Sequence, residues 1–151
     1  MIDAIDIDIL RILQEDANAT TKEISLKLHL TTTPIHERIK RLEKDGYIKK
    51  YVAILDKEKL NKGLTVFCNI SLRQHTSEIG NEFVAEIGLL EEVVECYNIS
   101  GDYDFLLKVL VADMPGYQKF VMNRLGSLKS IGSVKSIFVM GEIKNTLALP
   151  I

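Results

Sequence analysis

Residues 31–43 read TTTPIHERIKRLE, and DGYI follows at residues 45–48. Three apolar side chains in this stretch recur at i, i+4 and i+7, the spacing of an amphipathic helix: Ile35, Ile39 and Leu42. Thr31 is suited to cap such a helix, and Pro34 falls in its first turn, where the missing N–H needs no partner. Gly46 is a natural left-handed stop at the other end. The stretch therefore predicts a helix over residues 32–44.

Two more helices are expected before this one. Asp3 is suited to cap the first, whose apolar side chains again follow helical spacing: Ile5, Ile9, Ile12 and Leu13. Thr20 and Glu23 form the pattern of a capping box at the start of the second helix. Residues 29–31 leave only a short connection between the second and third helices. A connection this tight is what a helix-turn-helix motif requires.

A basic segment follows the third helix. Residues 47–55 hold strand-forming side chains around Lys49 and Lys50, and they predict a small hairpin, or wing. In a winged helix-turn-helix the third helix enters the major groove of DNA, where it contacts bases near its N-terminus and phosphates along its flanks. We expect base contacts from Thr32, Thr33, His36 and Glu37, and phosphate contacts from Lys40, Arg41, Lys44, Lys49 and Lys50. A solvated helix face is the alternative, but the cap, tight turn, apolar stripe and wing together favour DNA.

The overall charge conceals this basic segment. The chain has 151 residues, with 19 Lys and Arg against 21 Asp and Glu, and its net charge of -2 argues against a polyanionic partner. Residues 22–50, however, carry eight basic and four acidic side chains, while residues 1–21 carry one and five. Because there are so few bases per subunit, we expect tight DNA binding to need several subunits acting together.

The pattern changes after a short charged segment at residues 56–63, which predicts a helical turn closed by Gly63. Alternating apolar residues then predict strands, and 3.6-residue periodicity predicts helices, in the order βαββαβ: strand 64–72, helix 77–87, strands 93–100 and 104–111, helix 114–128 and strand 134–140. This is the order of a ferredoxin-like sandwich, with two helices on one face of a four-stranded antiparallel sheet. The fold class is thus α+β, with a winged helix-turn-helix domain at 1–50, a wing strand and linker at 51–63, and a ferredoxin-like domain at 64–151.

Three further expectations follow from the predicted fold and the composition. The uncovered face of the sheet predicts a partner, most simply an identical subunit. Cys68 and Cys96 are expected as buried thiols in strands, since their spacing suggests neither a zinc site nor a disulfide framework. The acidic N-terminal segment and the lack of a long apolar run predict a cytoplasmic protein with no membrane partner.

The sequence offers little for catalysis. It has no hydrolase, phosphate-loop or zinc-protease motif, and its three histidines are scattered over unrelated elements: His29, His36 and His75. Asp102 and Asp104 resemble a carboxylate pair, but next to Gly101 the better interpretation is turn formation or binding of a ligand's amino group. We therefore expect no catalytic residue, no metal and no cofactor.

Two stretches resemble one protein family. Residues 31–43 with DGYI are similar to the helix-turn-helix signature of the Lrp/AsnC, or feast/famine, transcription regulators. CYNISGDYDFLLK at 96–108, continued by DMPGY at 113–117, resembles the strand-turn-strand of that family's effector-binding domain. The resemblance covers essentially the whole chain and implies a DNA-binding transcriptional regulator. Arg38 falls on the family's regular arginine, which serves either phosphate binding or the fold.

The resemblance also implies a ligand and an assembly. Family members bind a small amino acid between dimers, at a Gly-Asp-x-Asp turn and around the last strand, and they assemble from homodimers to octamers. The residues that this implies are Asn98, Gly101, Asp102, Tyr103, Asp104, Met114, Ile137, Phe138 and Val139, although Met114, Ile137 and Val139 have a plain core role as the alternative. Asn98 and Phe138 differ from the leucine-responsive members, so the identity of the amino acid does not transfer.

Two other functions stay open at this point. Sirohaem decarboxylases resemble this family in fold, although an acidic turn at 101–104 is poorly suited to the propionates of a tetrapyrrole. The third hypothesis is an amino-acid-sensing module that acts through protein partners and no longer touches DNA.

Overall fold

The computed structural model describes residues 2–151, which fall into two compact units. The first unit extends to Ile54 and includes Lys144–Ile151, and the second is Leu55–Ile143. This division differs from the predicted domain at 64–151, because residues 144–151 lie with the helices of the first unit. Gln14 and Arg11 of the first helix hydrogen-bond to the backbone of this terminal segment.

The first unit contains the three predicted helices: α1 (Ala4–Glu15), α2 (Thr21–Leu28) and α3 (Thr32–Lys44). Asp3 and Asp6 form a capping box on α1, and Thr20 and Glu23 form the predicted one on α2. His29 ends α2 in the left-handed conformation, with φ of 54°. One fully buried cluster holds the helices together: Ile9, Ile24, Ile35 and Leu42. Thr31 occupies the N-cap position of α3 but makes no side-chain capping hydrogen bond. Capping of α1 and α2 and the apolar stripes of all three helices thus build the helix-turn-helix.

The predicted wing strand is not formed. Gly46 does adopt the expected left-handed conformation, with φ of 78°, and the Ile48 N–H donates to the Leu42 carbonyl oxygen at 3.2 Å. Residues 47–55 nevertheless contain neither helix nor strand. An isolated two-stranded hairpin is only marginally stable in water, and the segment has no Gly, Asn or Pro between 47 and 55 to reverse the chain. Lys49 and Lys50 therefore lie on an irregular, exposed segment.

The second unit has the predicted βαββαβ order. Its elements are β1 (Leu64–Leu72), α4 (Ser77–Ile87), β2 (Val93–Asn98), β3 (Phe105–Val111), α5 (Met114–Asn123) and β4 (Ile131–Phe138). The strands form one antiparallel sheet in the order β2-β3-β1-β4. Alternate residues of β1 and β3 pack against α4 and α5 in the core. This core includes Val66 and Ile70 of β1, Leu107 of β3, Phe83 of α4 and Phe120 of α5.

Several boundaries differ from the prediction. The second helix of this unit, α5, ends at Asn123 rather than 128, and a 3₁₀ turn follows at Leu125–Ser127. β4 begins at Ile131 instead of 134. At its start Gly132 lies so close to the backbone of β1 that a Cβ there would meet the Leu72 carbonyl oxygen at 3.1 Å. In the linker, the residue in the left-handed conformation is Asn61, with φ of 55°, and not Gly63.

The expectation of two buried thiols is half right. Cys68 on the central strand β1 is fully buried, and its Sγ lies 3.1 Å from the Tyr117 hydroxyl. Cys96 is exposed, because β2 is an edge strand that has a neighbour on one side only. Among residues 2–151 no helix is both long and apolar enough to cross a membrane.

Candidate nucleic-acid interface and effector site

The outer face of α3 carries most of the predicted DNA contacts. Thr32, Thr33, His36, Glu37 and Lys44 are all exposed, while Ile35 and Leu42 on the opposite face are fully buried. Helical geometry places Thr33, Glu37 and Lys44 on one row, because they lie four and seven residues apart. Within the described chain Lys44, Lys49 and Lys50 have no ion-pair partner, so these three cations are available for phosphate.

Lys40 is paired, but weakly. Its Nζ donates to Glu43 Oε2 at 2.9 Å, and the Tyr51 hydroxyl donates to the other carboxylate oxygen at 3.1 Å. The hydrogen bond from Lys40, and then that from Tyr51, holds the pKa of Glu43 below its usual value. Because 63% of the Lys40 side chain is exposed, this ion pair contributes little to stability. Lys40 can therefore exchange the carboxylate for a DNA phosphate at small cost.

Arg38 has a role in the fold, which is one of the two roles that the resemblance left open. Its Nη1 donates to Asp3 Oδ2 and to Asp6 Oδ1, both at 2.7 Å, and only 23% of its side chain is exposed. Hydrogen bonds from Arg38 to Asp6 and then to Asp3 raise the pKa of the guanidinium. Arg38 thus fastens α3 to the start of α1.

Arg41 shares the same acidic partner. Its Nη2 donates to Asp6 Oδ2 at 2.6 Å, and the Asp6 carboxylate is fully buried, whereas Arg41 stays 49% exposed. Sequence reasoning missed Asp6, although a signal was present. Asp6 lies three residues before the buried Ile9, so an acidic group falls on the apolar side of α1, where it needs a cationic partner.

Two further cations were not predicted. Lys22 and Lys27 of α2 are exposed. In a helix-turn-helix the helix before the recognition helix crosses the DNA backbone, so lysines on it suit phosphate contacts. Both lie in the basic segment 22–50, which was the available signal.

The predicted effector turn is formed and is closed by hydrogen bonds. Gly101 has φ of 112°, a conformation that other residues rarely adopt. The Ile99 N–H and the Asn98 side-chain Nδ2 both donate to the Asp104 carbonyl oxygen at 3.0 Å. Asp102 at the tip is exposed, and Tyr103 is half-buried.

Asp104 is already engaged within its own chain. Its Oδ2 accepts the Leu72 backbone N–H at 2.7 Å, and its Oδ1 lies 3.0 Å from His75 Nε2. His75, one of the three scattered histidines, therefore contacts this corner of the fold. The carboxylate of Asp104 secures the end of β1, whereas the Asp102 carboxylate has no hydrogen-bond or ion-pair partner among residues 2–151.

The remaining effector residues lie at the other end of the sheet. Phe105, which follows the turn, pairs with Ile70 of β1, whereas Phe138 and Ile137 pair with Val66 and Phe67. At 3.3 Å per residue along a strand, three or four residues separate the two groups by about 10–13 Å. Met114 begins α5 near the second group, where Tyr117 of α5 contacts the Phe138 ring at a centroid distance of 5.3 Å. One subunit does not bring the nine predicted residues into a single pocket.

The second group has a partly buried polar support. The Tyr117 hydroxyl lies 2.6 Å from Ser136 Oγ and 3.1 Å from Cys68 Sγ, and burial raises the pKa of Tyr117 well above its usual value. Ile137 and Met114 are each 45% exposed, and Phe138 is 36% exposed. Of the three residues with a core role as the alternative, Ile137 and Met114 are thus surface residues, and Val139 is half-buried.

The two units define a class of protein, a helix-turn-helix joined to a small ligand-binding domain. Residues 2–49 match the family model for winged helix-turn-helix DNA-binding domains, and residues 65–149 match the Lrp/AsnC ligand binding domain. The chain belongs to the Lrp/AsnC family of transcriptional regulators. The predicted α+β fold class and DNA-binding regulatory function are confirmed.

The chain is similar over its full length to characterised relatives. It is 40% identical over 151 residues to the DNA-binding transcriptional activator DecR of Escherichia coli strain K12. The aligned region covers 100% of this chain and 99% of DecR. It is 42% identical over 145 residues to the leucine-responsive regulatory protein of Haemophilus influenzae, covering 96% and 87% of the two chains. These names favour neither the decarboxylase nor the module that does not bind DNA.

A solved structure is also similar to this chain. A transcriptional regulator of Neisseria meningitidis, crystallised as a complex with L-Met, superposes with a TM-score of 0.96 at 34% identity, covering 99% of this chain and 97% of that one.

Proposed function

We propose that this chain controls transcription by presenting α3 of paired subunits to successive major grooves of DNA, under the control of an amino acid bound between subunits. The observation that carries the second half of this proposal is the separation of the effector residues. The turn at 101–104 and the group around Phe138 lie at opposite ends of one sheet, so a pocket that uses both needs two chains.

The chemistry of both groups suits an α-amino acid. Backbone groups around Gly101 are suited to bind its carboxylate, and the free carboxylate of Asp102 is suited to its ammonium group. Met114 and Phe138 offer apolar surface for a side chain. L-Methionine is the first candidate, because a regulator of the same fold and 34% identity was crystallised with it.

The uncovered face of the sheet supports assembly. Tyr97 on β2 and Ile137 on β4 are 50% and 45% exposed, and Phe67 and Leu106 lie half-buried between them. Covering such a face with a second copy gives a two-fold dimer, and dimers that share effector pockets build a larger ring. We propose the octamer as the complete assembly. Its mass, measured by analytical ultracentrifugation with and without L-methionine, tests this step.

The DNA half of the proposal rests on the free cations of the first unit. Thr32, Thr33, His36 and Glu37 are suited to base edges, while Lys44, Lys49 and Lys50 are suited to phosphates. Two-fold symmetry implies half-sites whose recognition helices lie about 34–36 Å apart. Because the partner is DNA and the similar regulators come from bacteria, we propose that the protein acts in the cytoplasm, as a regulator and without catalytic activity.

Calorimetric titration with the twenty amino acids, L-methionine first, tests the effector site. We expect saturable binding by at least one of them, and about a tenfold weaker affinity in Asp102→Ala, because one charge-assisted hydrogen bond is lost. Glu91→Ala is the matched control, since Glu91 is an exposed acid outside the turn. If no amino acid binds, or if both variants bind like the wild type, the proposed site is wrong.

Gel-shift titrations on fragments of the source genome test the DNA interface. Lys44→Ala is expected to weaken binding and to reduce its salt dependence, because each phosphate contact contributes about 0.9 to the slope of log affinity against log salt. Lys129→Ala removes an exposed lysine of the second unit and is expected to change neither quantity. Equal effects of the two substitutions would exclude α3 as the interface.

A further inference from the structure

Arg41 is held at one nitrogen, Nη2, and about half of its side chain is exposed. Its Nη2 donates to the buried carboxylate of Asp6 at 2.6 Å, yet the side chain keeps 49% of its surface in solvent. Arg41 lies four residues after Glu37 and three before Lys44, so it shares the exposed flank of α3 with both. Arg38 differs, because it is bound by two carboxylates and is only 23% exposed.

A carboxylate is an unexpected group beneath a DNA-binding helix. Its negative charge opposes the approach of phosphates, and burying it is costly unless it is paired. Arg38 alone already supplies a partner to Asp6 and also to Asp3. The additional bond to Arg41 therefore points to a role in orienting that side chain as well as in neutralising the acid.

We propose that Asp6 is a positioning residue for DNA binding: it holds Arg41 by one nitrogen so that the remaining N–H donors of the guanidinium face a DNA phosphate. The planar fork of arginine suits this arrangement, since separate nitrogens bind two anions at once. The inference rests on the proposed DNA interface of α3. It adds a residue of α1, outside the helix-turn-helix contacts, to the groups that determine affinity.

Asp6→Asn gives a test in which two explanations predict opposite signs. The substitution removes a negative charge near the interface, so electrostatics alone predicts tighter DNA binding. Loss of the oriented guanidinium predicts weaker binding despite the gain in net charge. Asp8→Asn is the matched control, because Asp8 lies on the same helix, pairs with Arg11 and changes the charge by the same amount.

The probe is a fluorescent duplex of random sequence, because phosphate contacts dominate non-specific binding and no operator is needed. Anisotropy titrations over a range of salt give affinity and salt slope for the wild type, Asp6→Asn, Arg41→Ala, the double variant and Asp8→Asn. We expect Asp6→Asn to bind about tenfold more weakly and Arg41→Ala at least as weakly. Each should lower the salt slope by about 0.9 per bound subunit.

The double variant separates positioning from a general loss of structure. If Asp6 acts through Arg41, Asp6→Asn causes no further loss of affinity once Arg41 is alanine. Independent, additive losses would overturn the proposal, as would tighter binding by Asp6→Asn. If the wild type itself fails to bind the duplex, the proposed DNA interface fails instead, which is a different result.

Arg41→Lys covers the case in which Asp6→Asn does not fold. Lysine keeps the charge, but its single ammonium cannot hold Asp6 with one nitrogen and a phosphate with another. We expect Arg41→Lys to bind nearly as weakly as Arg41→Ala. Affinity and salt slope equal to the wild type in a folded Arg41→Lys would show that charge alone suffices and that Asp6 has no positioning role.

Discussion

Gln14 and Leu149, 135 residues apart in the sequence, exchange two hydrogen bonds. The Leu149 N–H donates to Gln14 Oε1 at 2.6 Å, and Gln14 Nε2 donates to the Leu149 carbonyl oxygen at 3.3 Å. Arg11 Nε adds a bond to the Ile151 carbonyl oxygen at 2.7 Å. Leu147 and Leu149 keep 69% and 67% of their surface exposed. The terminal segment is therefore bound to α1 more by hydrogen bonds between α1 side chains and its backbone than by apolar burial.

Gln14→Ala is expected to loosen the terminal segment around Leu149. Both bonds to Leu149 disappear, so its amide should exchange hydrogen with solvent at nearly the rate of an unfolded peptide. The free energy of unfolding should fall by no more than about 1 kcal/mol, because the bonds are exposed. Hydrogen-exchange mass spectrometry measures this, with Gln118→Ala on α5 as the control. Unchanged protection at Leu149 in Gln14→Ala would contradict the assignment.

Asp104→Ala is expected to destabilise the second unit, whereas Asp102→Ala is not. Alanine at 104 leaves the Leu72 N–H without its acceptor and removes the partner of His75, at a cost of about 1–3 kcal/mol. Denaturant unfolding of both variants checks the difference. Equal stability of the two variants would show that Asp104 is not needed for the fold. Weaker amino-acid binding by Asp104→Ala would then report the loss of a ligand contact.

Thiol alkylation of the native protein is expected to modify Cys96 and not Cys68. Burial raises the pKa of both thiols, but only Cys96 is exposed to a reagent. Mass spectrometry should find one added group in the native state, none in native Cys96→Ser, and a second group on the wild type only in denaturant. Rapid labelling of Cys68 in the folded chain would contradict the packing around β1.

Acid is expected to loosen the start of α1. Hydrogen bonds from the Asp6 backbone N–H and then from Arg38 hold the pKa of Asp3 below its ordinary value of 3.8. Because the folded pKa is the lower one, this stabilisation is complete above the ordinary value and is lost as the pH falls through the folded pKa. Denaturant unfolding between neutral and strongly acidic pH measures the effect. Asp3→Asn should show a smaller loss of stability in acid, and an unaltered pH profile would exclude this role.

Local patterns explain which parts of the fold were predictable. Of the three predicted capping residues, Asp3 and Thr20 bond to residues three positions away, whereas Thr31 makes no side-chain capping hydrogen bond. The helix 77–87 and the strand 64–72 have their predicted bounds, because their periodicity is strong and uninterrupted. The predicted wing strand and the predicted end of α5 were wrong, since residues 47–55 form no strand and a 3₁₀ turn with the buried Leu125 follows Asn123.

The sequence by itself determined the helix-turn-helix, the βαββαβ order and the basic segment hidden under a net charge of -2. These depend on hydrogen bonds and apolar spacing within a few residues along the chain. Only the tertiary structure decided that Arg38 serves the fold, that Asp6 holds Arg41, and that the turn at 101–104 lies far from Phe138 in one subunit. Those relationships join side chains more than thirty residues apart, and packing and strand register, rather than local propensity, bring them together or keep them apart.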